Sequence, residues 1–300
     1  MLRAVNDVSL KIMPQTFFGL VGESGSGKTT LGRAMLRAAP ITSGMISFNH
    51  GNNKYDVGSM SKMKLKEYRK QAQLIFQDPY AALNPRMTVR DIIAEPLEVM
   101  ELVQTREEAD QKVREIASKC RLNLEHLRRF PHAFSGGQRQ RISIARTLVC
   151  SPNFVVADES VAALDVSIQA DILNLLKSLQ NNLGLTFLFI SHDLSVVAHI
   201  CDTVAVMYLG TIFESAPTCS LFTQPNHPYT KALLSAIPTL NPEDRGKAQK
   251  LEGEIPSPVN PPSGCRFHTR CPVAEDRCRK EVAQWRESSP GHSVACHLVG

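Results

Sequence analysis

Residues 16–31 read TFFGLVGESGSGKTTL. The uncharged run FFGLV fits a strand buried on both faces. Glycine and serine then take over, and Gly22 to Thr29 match the pattern G-x-x-x-x-G-K-S/T. Glycines let the backbone curl so that successive N–H groups point at phosphate oxygens, and a helix opening at Lys28 adds its positive end. The Lys28 ammonium suits β- and γ-phosphates, and the Thr29 hydroxyl suits magnesium. A glycine-rich turn that binds nothing could carry the same letters. The strand before it and the helix after it argue for phosphate. The candidate binding residues are Gly22, Glu23, Ser24, Gly25, Ser26, Gly27, Lys28, Thr29 and Thr30.

Working outward, residues 4–12 alternate apolar and polar and predict a strand. GMISF (44–48), AQLIFQ (72–77), NFVVAD (153–158), LTFLFI (185–190), TVAVMY (203–208) and TIFES (211–215) predict further strands. Helical spacing covers about 28–37, 88–100, 106–119 and 166–182, and SGGQRQRISIARTLV opens another helix. Strands alternating with helices imply a mostly parallel sheet with helices on its faces. The block from about 80 to 150 reads as an inserted helical subdomain. Beyond 236 the chain turns proline- and glycine-rich (GEIPSPVNPPSGC) and reads as an irregular tail.

The 300 residues carry a formal charge of +5, from 34 basic and 29 acidic side chains. That mild excess, with its densest cluster between Lys62 and Lys70, lacks the basic stripe of a nucleic-acid binder. The opening MLRAVNDVSL is not a secretory signal, and no apolar run approaches the roughly 18 residues of a membrane span. A cytosolic location with reduced thiols is the expectation.

Several residues outside the glycine loop could serve phosphate chemistry. Asp158 and Glu159 end the strand FVVAD, where one carboxylate can hold magnesium and the next can deprotonate an attacking water. Ser135, Gly136, Gly137 and Gln138 open a helix, a second place for an anion, although a plain N-cap serine would look the same. Gln77 follows a strand and could meet magnesium or water. His192 follows another and could stabilise charge on a γ-phosphate.

Taken together, these residues resemble the nucleotide-binding subunit of an ABC transporter. In that likeness Gly22–Thr29 is the Walker A loop, Gln77 the Q-loop and Ser135–Gln138 the signature motif. Asp158 and Glu159 close Walker B, Asp165 ends the D-loop and His192 is the switch histidine. The stretches LIFQDPYAALNPRMTVRDIIAEPL, ALDVSIQADILNLL and NHPYTKALLSAIP, with GCRFHTRCP, resemble the oligopeptide/dipeptide importer ATPases, a group that includes ATPases for nickel and glutathione uptake. The resemblance implies a P-loop NTPase fold, with a RecA-like parallel-sheet core, a β subdomain and an inserted helical subdomain. It places the cassette at 1–236 and a Cys-containing tail at 237–300.

The resemblance further implies ATP and magnesium as ligands, with Thr29, Gln77 and Asp158 on the metal. Two cassettes would close on two ATP molecules, Ser135–Gln138 of each covering the nucleotide of the other. Glu159 is the expected base. The implied partners are two permease subunits, a second related cassette and a solute-binding protein, at the cytoplasmic face of the inner membrane, with no nucleic acid. The rivals are a soluble ABC protein acting on nucleic acid or ribosomes, and a regulatory cassette that binds ATP but hydrolyses it weakly.

Cys265, Cys271, Cys278 and Cys296 gather in this tail. Four soft thiolates suit a 4Fe–4S cluster or tetrahedral zinc, and similar tails in the resembled group are implicated in holding an iron–sulfur cluster. Four reduced cysteines without metal are the alternative. His268, His292 and His297 are candidate substitute ligands, and Cys120, Cys150, Cys201 and Cys219 are expected to be buried. Three departures from the resembled pattern, Phe134, Ser160 and Ala162, suggest slow or partner-dependent hydrolysis. No aromatic precedes Phe17 to stack on adenine, so weaker ATP binding than in a chain extended upstream is expected, by about 1–3 kcal/mol if base stacking is the guide.

Overall fold

The computed structural model describes residues 3–51, 53–237 and 253–299. In chain order its elements are β1 (Phe17–Val21), α1 (Lys28–Met35), β2 (Ser47–His50), β3 (Asn53–Asp56), α2 (Lys62–Gln71), β4 (Ala72–Ile75), α3 (Pro79–Ala82), α4 (Val89–Val99), α5 (Arg106–Lys119) and α6 (Gly136–Leu148). There follow β5 (Phe154–Asp158), α7 (Val166–Leu183), β6 (Thr186–Ile190), α8 (Leu194–Ile200), β7 (Thr203–Tyr208), β8 (Thr211–Pro217), α9 (Thr218–Thr223), α10 (Pro228–Ser235), α11 (Asp276–Lys280), β9 (Arg286–Ser289) and β10 (His292–Val294). The chain divides into two compact units, one of residues up to 12, 17–31 and 189 onward, the other of 13–16 and 32–188.

In the first unit β1 is buried at every residue and runs parallel to β7, from Phe18 opposite Thr203 to Val21 opposite Val206. β7 turns back into antiparallel β8 through Leu209 and Gly210, both at positive φ, the geometry of a two-residue hairpin loop. The tail is not irregular throughout. β10 pairs with β8 (Ser293 opposite Ser215) and β9 pairs with β10, so the C-terminal segment extends the sheet. Its strands are three and four residues long, too short for a periodic signal.

Residues 4–12, predicted as a strand, form none. Asp7 adopts φ 52°, which breaks an extended run, and the Asn6 N–H donates to the Gly210 carbonyl at 2.8 Å. The segment is held by the hairpin turn instead of by a neighbouring strand.

In the second unit β4 and β5 are parallel, from Ala72 opposite Phe154 to Ile75 opposite Ala157. The helices α4, α5 and α6 bury Ile92, Ile93, Leu97, Val113, Ile142 and Ile144. Their starts are written in side chains: Thr88 Oγ1 accepts from the Asp91 N–H, and Thr105 Oγ1 from the Glu108 N–H. In this unit β3, α2 and the four-residue α3 escape the sequence reading, and the strand predicted at 44–48 overlaps β2 only at Ser47 and Phe48. α2 is the lysine-rich stretch, capped by Ser61, and Tyr68 is its buried residue, so its apolar stripe is too thin to register. No helix among the described residues is long and apolar enough to cross a membrane.

Candidate functional site

In the first unit the chain leaves β1 through the glycine loop and enters α1 at Lys28. Lys28 is buried, and its Nζ donates to the carbonyls of Gly22 (2.8 Å) and Glu23 (2.9 Å) and to Ser26 Oγ (3.3 Å). An ammonium can be buried there because the loop's own oxygens satisfy it. Glycine is required at both ends of the loop. A Cβ on Gly22 would stand 2.0 Å from the Met207 carbonyl oxygen, and one on Gly27 2.2 Å from that of Ala4, at φ values of 151° and 104°. The loop therefore lies flat against backbone, at the N-terminal end of α1 where helix N–H groups and dipole favour phosphate.

Glu23 is held at three points. Its carbonyl meets Lys28, its N–H donates to the Tyr229 hydroxyl at 3.0 Å, and its carboxylate accepts a fork from Arg270 at 2.7 and 3.0 Å. Sequence reasoning missed Tyr229 and Arg270, although both stand in the quoted stretches NHPYTKALLSAIP and GCRFHTRCP. The bond to Glu23 raises the affinity of the Arg270 guanidinium for its proton. His192 lies exposed after β6, one residue before Asp193, whose carboxylate accepts from the N–H groups of Ser195 and Val196 and caps α8.

The second unit carries the carboxylates. Asp158 is buried at the end of β5, and Glu159 follows at φ 46°, a strained backbone for a glutamate. The Gln77 side-chain amide donates to Glu159 Oε2 at 2.7 Å, so two residues chosen from separate stretches meet directly. That bond uses the amide nitrogen and leaves the amide oxygen as the end suited to a metal. In this unit Asp158 and Gln77 carry oxygen donors of the kind magnesium takes, and in the first unit Thr29 carries another. Ser160 is buried, and its hydroxyl has no hydrogen-bond partner among the described residues.

Ser135 and Gln138 form a capping box at the start of α6. The Ser135 N–H donates to Gln138 Oε1 at 3.0 Å, and the Gln138 N–H to Ser135 Oγ at 3.4 Å. Gly136 leaves room, its Cβ position 3.8 Å from Leu164 and Tyr80, whereas Gly137 abuts Ile168 at 2.5 Å. The guanidinium of Arg139 lies 4.2 Å from the centre of the Tyr80 ring. Asp165 is exposed at the N-terminus of α7.

In the tail the Cys265 N–H donates to the Cys278 carbonyl at 2.8 Å. Burial pushes the Cys265 thiol up to about 11, with a further upward push from Cys278, Cys296 and Cys271, and burial likewise raises Cys271 and Cys296. Cys278 and Cys296 are buried, and Cys265 and Cys271 are half-buried. Among the described residues no group of three or more His, Cys, Asp or Glu is arranged to hold a metal ion. The candidate histidines have other partners: His292 Nε2 meets Glu214 Oε1 at 2.6 Å, His268 Nδ1 the Cys265 carbonyl at 2.9 Å, and His297 Nε2 the Glu281 carbonyl at 3.0 Å. Cys120, Cys150 and Cys201 are buried as expected, but Cys219 is exposed.

Comparison with known proteins bears on both ends of the chain. Residues 5–162 match the family model described as ABC transporter, and residues 213–278 match that of the oligopeptide/dipeptide transporter C-terminal region. The oligopeptide transport ATP-binding protein AppF of Bacillus subtilis is 48% identical over 300 residues, covering 99% of this chain and 90% of the relative. A Brucella ovis protein named for peptide import ATP binding is 51% identical over 295 residues, covering 98% and 92%. Among solved structures, the ATP-binding cassette MJ0796, dimeric and bound to ADP and Pi after hydrolysis, superimposes with a TM-score of 0.63 at 25% identity, over 72% of this chain and 90% of that one.

Proposed function

The chain belongs to the ABC transporter ATP-binding family, and from that premise we propose that it powers the import of peptides through separate permease subunits. The observation that carries the peptide assignment is the C-terminal region. Residues 213–278 match the oligopeptide/dipeptide transporter model, and they follow a cassette whose buried Lys28 is poised in its phosphate loop.

In this reading the cassette spans 1–236, with its helical subdomain at about 80–150, and the tail spans 237–300; residues 238–252 lie outside the described residues. Residues Gly22 to Thr30 bind the phosphates of ATP. Thr29, Asp158 and the Gln77 oxygen are the residues that would hold magnesium, whose charge would offset that of the phosphate oxygens. Glu159 takes the proton of the attacking water, oriented by the Gln77 amide, and His192 supports the γ-phosphate. Ser135–Gln138 of a second, related cassette cover the nucleotide, with Asp165 at the seam between the two. A solute-binding protein delivers the peptide, and the exposed Phe76 and Tyr80 belong to the surface that docks on the permease at the cytoplasmic face of the membrane. Closing and reopening of the cassette pair drives the permeases.

The tail thiolates of Cys265, Cys271, Cys278 and Cys296 are assigned to a 4Fe–4S cluster first and to zinc second. Four cysteines in one tail, soft donors of the kind that iron–sulfur clusters and zinc take, support this. Analysis of iron, zinc and acid-labile sulfide in chain purified without oxygen tests it, and absence of all three would remove the metal.

The transport reading is tested by ATP hydrolysis in the assembled system, with the binding protein empty or loaded with short peptides. Stimulation by peptide is expected. A response to nickel or glutathione alone would redirect the assignment to those solutes.

A further inference from the structure

We infer that Arg270, in the C-terminal tail, is a positioning residue for nucleotide: it holds the phosphate loop in its binding shape by clamping Glu23. The inference rests on the reading of that loop as the ATP site.

Residue 270 lies 247 positions from residue 23, yet its guanidinium grips both carboxylate oxygens, at 2.7 and 3.0 Å. The side chains are 6% and 24% exposed, so this is a sheltered ion pair rather than a solvated one. A forked guanidinium fixes orientation as well as distance, which a lysine cannot do. Arg270 Nη1 also reaches the Tyr208 hydroxyl at 3.4 Å. Tyr208 packs with Tyr229 (4.8 Å between ring centres) and Phe267 (5.5 Å), all three fully buried, and Tyr229 receives the Glu23 N–H. The clamp is therefore mounted on a rigid aromatic base that is itself part tail and part cassette.

The consequence falls on Lys28. Glu23 presents the carbonyl that Lys28 Nζ contacts, so fixing Glu23 through its carboxylate and its N–H fixes one wall of the lysine's cradle. Burying an ion pair seldom raises stability over an apolar substitute. Its use here is to specify one conformation of a loop made largely of glycine and serine. Arg270 stands directly before Cys271, so the folded state of the cysteine segment and the shape of the phosphate loop are mechanically joined. Because coupling between two sites is reciprocal, nucleotide in the loop must in turn quiet the tail.

The test uses the full-length chain with MgATP. Arg270→Gln is expected to raise the dissociation constant about two- to thirtyfold, the span typical of positioning contacts that never touch the ligand. Arg270→Lys should recover only part of the loss. Glu23→Gln should weaken binding similarly, and the double variant should bind no worse than the weaker single one, since both ends of one clamp are then gone. Losses that multiply in the double variant would overturn the inference, as would unchanged affinity in Arg270→Gln. Amide exchange supplies a second readout: MgATP should slow exchange over 264–271 in the wild type but not in Arg270→Gln, and equal protection in both would also overturn it. A wild-type chain that binds no MgATP would instead remove the nucleotide reading on which the clamp rests.

Discussion

The amide nitrogen of Gln77 donates to Oε2 of Glu159 at 2.7 Å, across 82 residues of sequence. The carboxylate assigned as base is thus aimed by a neutral amide donor. Gln77→Ala removes the donor and with it the aim. Misplacing a reacting group by about 1 Å costs on the order of a hundredfold. Turnover in the assembled transporter should therefore fall about ten- to a hundredfold, and full turnover in that variant would show that Gln77 does not orient Glu159.

Glu159→Gln keeps the shape of the side chain and removes its basicity. Hydrolysis should stop while binding persists, so ATP-bound cassette pairs should accumulate. Size-exclusion chromatography with and without MgATP reads the pairing, and phosphate release reads the turnover. Continued hydrolysis would take Glu159 out of the role of base.

The two signature glycines should behave differently. A methyl at Gly136 meets nothing closer than 3.8 Å, but one at Gly137 would approach Ile168 Cγ2 to 2.5 Å. Overpacking of this kind costs about 1–3 kcal/mol. Denaturant unfolding should show that loss for Gly137→Ala and little change for Gly136→Ala, whatever each does to hydrolysis. Equal stability of the two variants would contradict the packing described at α7.

His227 gives the fold an acid limit. Its ring is buried against Phe213 (4.5 Å between ring centres), and its Nδ1 accepts from the Tyr229 N–H to cap α10. Burial, aided by Lys231, lowers its pKa to about 3. The unfolded histidine takes up a proton near pH 6.5, where the folded one still refuses it. This group's contribution to stability is therefore complete above about 6.5 and is lost as pH falls toward about 3, by up to about 1.4 kcal/mol per pH unit. His227→Asn keeps a capping acceptor and loses the titration. Unfolding measured between pH 7 and 4.5 should show a shallower slope in the variant, and parallel slopes would mean that His227 does not set the limit.

Gly27→Ala tests the close approach of the loop to the N-terminal segment. The new methyl would press on the Ala4 carbonyl in a left-handed backbone that alanine resists. MgATP affinity should collapse along with local stability, and a variant that binds normally would show that the segment yields freely.

What the sequence by itself determined are features whose cause is local and whose pattern is strong. The strand, glycine loop and helix of residues 17–35 are legible because each depends on neighbours a few positions away, and TVAVMY becomes β7 residue for residue. Most helices of the inserted block were legible for the same reason, through their period. Only the tertiary structure decided what distant residues do to one another. Alternation in 4–12 promised a strand, but a strand needs a partner edge, and here the hairpin turn at Gly210 takes the hydrogen bond instead. The tail's two short strands exist because β8 offers β10 an edge and β10 offers one to β9. Arg270 reaches Glu23, and Gln77 reaches Glu159, because the fold has already closed the long loops between them, a cost that no local pattern records.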